Sequence, residues 1–386
     1  MTMTAMQLSG IRVVEAGQVL SAPYAGMILG DLGAEVIKVE KPVTGDDARN
    51  MGSAFRDGAS MTFHEVNRGK RSVVVDLKAA DGPQQLFQLL QTADVFIHNL
   101  RPGEAVKLGV DAATVTRHFP RLVYCELSAF GHKGPRRMEP GYEPLLQAFG
   151  GLISINGDSD GPPSRMGASL VDQGTAMWAV IGILTALHQR ATTGAGCVVT
   201  TSLLETAIGW GSSRVHEYLN QGRSPERHGT GHPNLVPYQA FDTTDGQIMV
   251  CAGNDRLFAK LAAAMGQSQW VTDDRFATNR QRLKHRALLV DMIQKLLLQA
   301  DRSTWIERLA SAGVPVAAVN TIPEMVTESQ VEALDIIRPV GDEGFVLAGL
   351  PLSFDGERPA VRESAPRLGA DTQRLVGNSH ASQSEN

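Results

Sequence analysis

The sequence predicts an α/β protein: a large domain built on a doubly wound, mostly parallel sheet, followed by a smaller α+β domain. Three observations carry this. Short runs rich in Val and Ile alternate with helix-like stretches through the first third of the chain. A segment rich in Gly, Pro and charge, Gln221 to Pro233 (QGRSPERHGTGHP), then breaks the pattern in the manner of an interdomain linker. Beyond it, strand-like runs flank Asp245-Gly246, a pair that favours a type I′ hairpin turn, and helical segments follow. The expected divisions are residues 1–220 for the large domain, 221–334 for linker and small domain, and 335–386 for a return to the large domain.

Taken in order, Ile11 to Ala16 reads as a buried strand, Pro23 to Leu32 as a helix with Pro in its first turn, and Ala34 to Glu40 as a second strand. Strand, helix and strand over so short a stretch make a βαβ unit with a parallel pair. Gly30 and Gly33 stand where a helix C-cap needs glycine, and GxGxxG is missing, so no nicotinamide or flavin site is indicated. The alternation continues with strand Ser72 to Asp76, helix Pro83 to Thr92, strand Asp94 to His98, helix Ala112 to Phe119 and strand Leu122 to Leu127. After a long apolar stretch come strand Cys197 to Thr201 and a capping box, Ser202 with Glu205. Past the linker, Pro237 to Thr244 and Gln247 to Cys251 form the hairpin, Asn254 caps a helix from Asp255 to Met265, and further helices span Arg282 to Leu298 and Ser303 to Ala310. The chain then turns strand-like and Pro-rich from Ile336 and ends in a polar tail, Asn378 to Asn386.

Composition narrows the function. The 386 residues are 42% hydrophobic and 20% charged, ordinary for a soluble globular protein, and a net charge of -5 with pI near 6.1 excludes a nucleic-acid footprint. Three scattered cysteines, Cys125, Cys197 and Cys251, make neither a disulfide framework nor a zinc spacing. No cluster has metal-ligand spacing, so no metal is expected. With no signal-peptide pattern in MTMTAMQLSG, the expected location is cytoplasmic, with no membrane partner.

The stretch that organises the chain is Met166 to Arg190, MGASLVDQGTAMWAVIGILTALHQR. Met177, Trp178, Ile181, Leu184 and Leu187 recur at helical spacing, in an apolar run taken as too short for a bilayer, which needs about 20 residues. A buried core helix is expected. Asp172 stands just before it, where unpaired N–H groups and the helix dipole favour an ionised carboxylate. Two readings stay open on local sequence: an N-cap, and a nucleophile able to attack an activated acyl group.

In a parallel sheet, ligands sit beyond the carboxyl ends of the strands, which brings the loops after Ala16, Glu40, His98 and Leu127 to one cleft. Those loops and their neighbours carry Lys38, NRGKR (Asn67 to Arg71), NLRPG (Asn99 to Gly103) and GHKGPRR (Gly131 to Arg137). So many basic segments at one sheet edge point to a polyanionic ligand. Gly253 is a place where backbone could approach a ligand closely.

The stretches LSGIRVVEAGQVLSAPYAGMILGDLGAEVIKVEKP with GDDAR, NRGKRSVVVDLK, ADVFIHNLRPG, PRLVYCELSAFGHKGP, GYEPLLQAFGGL, VDQGTAMWAVIGILTALHQR, VTTSLLETAIGW, RFATNRQRLKHR, AGVPVAAVNT and APRLG occur in this order over nearly the whole chain. In them the sequence resembles the class III CoA-transferases, the family of formyl-CoA transferase and crotonobetaine/carnitine CoA-transferase. The resemblance implies a Rossmann-like large domain and an interlocked homodimer. It implies coenzyme A as a cosubstrate rather than a resident cofactor, with an acyl-CoA and a small carboxylic acid as partners. It makes Asp172 the catalytic aspartate, loaded first as a mixed anhydride and then as a CoA thioester. It assigns CoA binding to Lys38, Arg71, Asn99, Leu100, Arg101, Lys133 and Arg137, and a glycine loop over the site to Gly253 and Asn254.

Three departures are visible. Val19 to Pro23 reads VLSAP where formyl-CoA transferases carry VQAGP, so Leu20 replaces a glutamine tied to formyl-CoA and oxalate. Tyr142 and Glu143 stand where the racemases of this family carry a histidine and an acid, which removes an evident second base. Glu143 also departs from the commoner GYD, as either a supporting carboxylate or a helix-start acid. A 2-methylacyl-CoA racemase and a non-catalytic CoA-binding protein are the competing readings.

Overall fold

The computed structural model describes residues 6–341, 345–361 and 363–377. The chain divides into two compact units, one of Met1–Leu152, Met166–His216 and Glu332–Asn386, the other of Ile153–Arg165 and Glu217–Val331. The expected polar tail lies outside the described residues.

In the first unit the order is β1 (Arg12–Ala16), α1 (Ser21–Asp31), β2 (Glu35–Glu40), α2 (Met61–Asn67), β3 (Arg71–Val74), α3 (Gly82–Leu90), β4 (Val95–His98), α4 (Ala112–His118), β5 (Val123–Ser128), α5 (Glu143–Phe149), α6 (Leu170–Thr193), β6 (Val198–Ser202) and α7 (Leu203–Trp210). The strands form one sheet in the order β3-β2-β1-β4-β5-β6, with every neighbouring pair parallel. Strand order therefore reverses between β1 and β4, the place where a doubly wound sheet opens a crevice.

Alternation along the strands sends side chains to two cores. Val13, Val36, Ile97 and Val123 pack with Ala25 and Leu29 of α1 and with Ala176, Ala179 and Ile183 of α6. Val14, Ile37, Phe96 and Tyr124 face the other way, onto Leu86 and Leu89 of α3 and Val115 of α4. Both faces are covered, as a parallel sheet requires. Emptying one such site, Ile183→Ala for example, would cost about 2–5 kcal/mol.

Helix α6 is longer than the sequence suggested. Its 24 residues are, by length and composition alone, apolar and long enough to cross a membrane, so the expectation of too short a run is corrected. The reason is that the helix continues past the apolar run through His188 to Thr193 and closes only at Gly194, at φ 75°. One side packs into the core, while Met177, Trp178 and Ile181 remain about half exposed. At the next helix Ser202 caps α7 as expected, but Glu205 accepts from the Ser202 hydroxyl (2.6 Å) rather than completing a capping box.

The second unit holds a three-stranded antiparallel sheet, β7 (Tyr238–Asp242), β8 (Gln247–Cys251) and β9 (Val316–Ala318), in the order β9-β8-β7. Around it lie α8 (Asp255–Ala264), α9 (Asn279–Lys284), α10 (Arg286–Leu297) and α11 (Arg302–Ser311). Asn254 caps α8 as expected, accepting from the Leu257 amide at 2.9 Å. Two details differ. Asp245 is not on the left-handed side, so the hairpin closes through Thr243 N–H to Gly246 O rather than through a type I′ pair. The single helix expected from Arg282 to Leu298 is two, broken at His285, where ψ reaches 26°. Buried Arg282 ties the short helix inward through Val236 O, Phe276 O and Asp255. Back in the first unit, β10 (Ile337–Val340) and β11 (Phe345–Ala348) pair antiparallel.

Candidate active site

The loops after β1, β2, β3, β4 and β5 line one cavity of about 630 Å³, together with Pro140 to Glu143, Leu203 and Asp172. All these residues belong to the first unit. Lys41, paired with Asp47 at 2.5 Å, Lys78 and Arg101 are the basic residues of this lining, at the ends of β2, β3 and β4, among the acids Glu40, Asp46, Asp76 and Glu104.

Asp172 enters from the first turn of α6, not from the position before it. Ser169 is the N-cap and makes no side-chain cap bond, while it is Glu143 that accepts the Val171 amide, at 3.4 Å. The N-cap reading of Asp172 is thereby set aside. So is the expectation of a carboxylate ionised throughout the neutral range. Burial pushes the Asp172 carboxyl up to about 7, the neighbouring charge of Glu143 adds to this, and a hydrogen bond from the Ser21 hydroxyl opposes it. Glu143 is buried and held by Gln147 Nε2 at 2.6 Å.

Facing Asp172 is the turn from β1 into α1. Val19 takes a left-handed conformation at φ 67°, unusual for a β-branched residue, and its N–H donates to Asp46 Oδ1 at 2.9 Å. Gln18 is clamped on both sides by Asn99, its N–H donating to Oδ1 and its carbonyl accepting from Nδ2, each at 2.9 Å. Lys38 Nζ donates to Gly17 O at 3.0 Å. With the loop held this way, the Leu20 and Ser21 amides open α1, where helix N–H groups have no partner within the helix. That is a place for an anion or a developing oxyanion.

Several residues expected to touch CoA do other work. Lys38 is fully buried: it faces Glu15 across the β1/β2 ladder at 2.9 Å and sits 2.8 Å from Asp46 Oδ2, an ion contact outside hydrogen-bond geometry. Burial lowers its pKa, but Glu15, Asp46 and Glu40 more than offset this, so the ammonium stays charged and cannot reach a ligand. Glu15 also takes Lys70 at 2.5 Å, and this packed charge cluster leaves no room at Gly26, where a Cβ would lie 2.1 Å from Glu15 Oε2. Arg71 pairs with Glu363 at 2.8 Å and lines a separate, smaller cavity with Asp31 and Glu35. Neither Lys38 nor Arg71 lines the main cavity.

Asn99, Leu100 and Arg101 line the main cavity, as do Val19, Leu20, Tyr142 and Glu143. Lys133 and Arg137 lie on the exposed stretch 132–140, outside the lining apart from Pro140. Gly253 and Asn254 belong to the second unit, where a Cβ on Gly253 would lie 2.9 Å from Leu235. Lys41 and Lys78 were not singled out in the sequence, although each follows the end of a strand (VEK, VDLK), the position a cleft residue occupies.

The sequence pattern of CoA-transferase family III matches residues 8–372. The chain belongs to this family. Among its relatives, the succinate–glutarate CoA-transferase of Agrobacterium fabrum is 33% identical over 384 residues, covering 95% of this chain and 96% of that one. The acetyl-CoA:oxalate CoA-transferase of Acetobacter aceti is 33% identical over 362 residues, covering 93% and 92%. The crystal structure of a CAIB/BAIF family protein from Brucella suis superposes with a TM-score of 0.86 at 33% identity, over 96% of this chain and 99% of that one.

Proposed function

We propose that this CoA-transferase moves CoA from an acyl-CoA thioester to a free carboxylic acid through covalent intermediates on Asp172. The carboxylate attacks the thioester carbonyl, the tetrahedral oxyanion collapses, and the CoA thiolate leaves an aspartyl mixed anhydride. The thiolate then attacks the aspartyl carbonyl, releasing the first acid and leaving aspartyl-CoA. The incoming carboxylate takes over the aspartyl group with loss of thiolate, and the thiolate attacks the new acyl carbon, which returns Asp172 and releases the new acyl-CoA. Each step is an acyl transfer easier than direct exchange.

The observation that supports this reading is a partly desolvated Asp172 carboxyl lining the same cavity as the start of α1. Burial makes the carboxylate more basic, hence more nucleophilic when ionised, and the Leu20 and Ser21 N–H groups at the start of α1 are the proposed donors to the oxyanion. Lys41, Lys78 and Arg101 are proposed to hold the phosphates. Small dicarboxylates are the proposed acids, supported by the succinate–glutarate relative. A homodimer in the cytoplasm is proposed as the working form, supported by the exposed apolar face of Met177, Trp178 and Ile181 and by cysteines that are all free.

Incubation of a panel of acyl-CoA donors with a panel of carboxylic acids, read by mass detection of the new thioester, tests the proposal. Transfer by the unaltered chain and none by Asp172→Asn is the expected result. Equal transfer by both would remove Asp172 from the chemistry.

A further inference from the structure

His98 ends β4 with its side chain 1% exposed, and both ring nitrogens are engaged. Nδ1 lies 3.3 Å from the Leu100 amide nitrogen, and Nε2 lies 2.5 Å from the Tyr124 hydroxyl, which in turn reaches Val110 O at 3.1 Å. Every hydrogen in this chain is assigned by its ends. The Leu100 N–H can only donate, so Nδ1 must be the bare acceptor. In the neutral ring the proton then sits on Nε2 and is donated to the Tyr124 oxygen, whose own hydrogen goes to the Val110 carbonyl. Phe96 and Tyr124 supply the ring contacts, and burial alone holds the imidazole down to about 4.

The segment held in this way is the functional one. Leu100 and Arg101 line the cavity, and Asn99 clamps Gln18 beside Val19. We propose that His98 is a positioning residue: as a neutral imidazole protonated on Nε2, locked by Tyr124, it fixes the Leu100 amide and with it the Asn99–Arg101 loop in the shape that receives the phosphates of CoA. The inference rests on the CoA-transfer reading above. It assigns to one buried imidazole, out of reach of any ligand, a contribution to CoA affinity that leaves the acyl chemistry alone.

Two substitutions separate the two nitrogens. In His98→Asn the side-chain oxygen takes the place of Nδ1 and keeps an acceptor for the N–H two residues on, while the Tyr124 contact is lost. In His98→Gln the amide nitrogen takes the place of Nε2, keeps Tyr124 and leaves Leu100 without its acceptor. Both remove part of a buried ring, so a merely structural role would lower melting temperature and affinity in parallel. With CoA itself as the calorimetric probe, His98→Asn is expected to bind within about threefold of the unaltered protein and His98→Gln about tenfold more weakly, the worth of one hydrogen bond. Ring-nitrogen NMR of the unaltered protein needs no variant and is expected to show His98 protonated on Nε2.

Equal CoA affinity in the two variants, affinity losses that track melting temperature, or a proton on Nδ1 would each overturn the assignment. An unaltered chain that does not bind CoA would remove the CoA-transfer reading itself, and the role of His98 with it. That control distinguishes the two failures.

Discussion

Replacing Asp172 by Asn should stabilise the fold at alkaline pH, and the size of the effect follows from the burial of the carboxyl. Burial, with Glu143 adding its charge, raises Asp172 to about 7 in the folded protein, against about 3.9 in an unfolded chain. A carboxyl raised in this way binds its proton more tightly when folded, so ionising it opposes folding. The penalty is absent near pH 4, grows as pH rises, and is complete above about 7. Three pH units at 1.36 kcal/mol each set a ceiling of about 4 kcal/mol. The side chain lines a cavity open to water, and screening brings this to about 2 kcal/mol. Asn has the same shape and no charge to desolvate. Asp172→Asn should therefore melt several degrees higher than the unaltered protein at pH 8, with the gain shrinking as pH falls toward 4. An N-cap would behave oppositely, losing about 1 kcal/mol on substitution. Calorimetric melting at pH 8 and pH 4.5 separates the two, and a lower melting temperature for Asp172→Asn at pH 8 would refute the reasoning.

Glu143→Gln keeps an oxygen for Gln147 and Val171 but removes the charge that helps raise Asp172. Asp172 should then be ionised at lower pH, and the acid limb of kcat/KM should move to lower pH, a limb that stays put or rises being the contrary outcome. Arg101→Ala removes an exposed cation from the cavity lining. KM for acyl-CoA should rise about tenfold at low salt and less at high salt, with kcat within about twofold. Steady-state assays at two ionic strengths check this, and a fall in kcat at unchanged KM would contradict it.

The parallel sheet was legible because its strands are buried on both faces and therefore read as continuous Val- and Ile-rich runs, IRVVEA and AEVIKVE among them. Asp172 drew attention because it stands at the start of a long apolar stretch, and only the resemblance to the CoA-transferases made it a nucleophile rather than a cap. What failed was the direction of individual side chains. Lys38, within the strand expected from Ala34 to Glu40, looked close enough to the cleft to serve a ligand, yet its side chain turns to its ladder partner Glu15. Opposite charges at facing positions of two buried strands were the available signal. Arg71 begins β3, as its place just before the expected strand Ser72 to Asp76 allowed, and so lies away from the crevice at the strands' carboxyl ends. Lys41 and Lys78, beyond the ends of β2 and β3, take that place in the lining. The raised pKa of Asp172 had no local signature, since Glu143 lies 29 positions upstream (172 − 143) and only the packing of α5 on α6 brings them together. The break at His285 was hidden too, because the helical periodicity runs on through it.

The central claim is that Asp172 is covalently loaded during turnover, and quenching tests it most directly. Enzyme incubated with an acyl-CoA donor that it is shown to use would be quenched with hydroxylamine and digested, and the peptide carrying Asp172 weighed. A hydroxamate mass on that peptide, absent without donor and absent in Asp172→Asn, is the expected result. An unmodified Asp172 peptide from enzyme that is turning over would contradict the account.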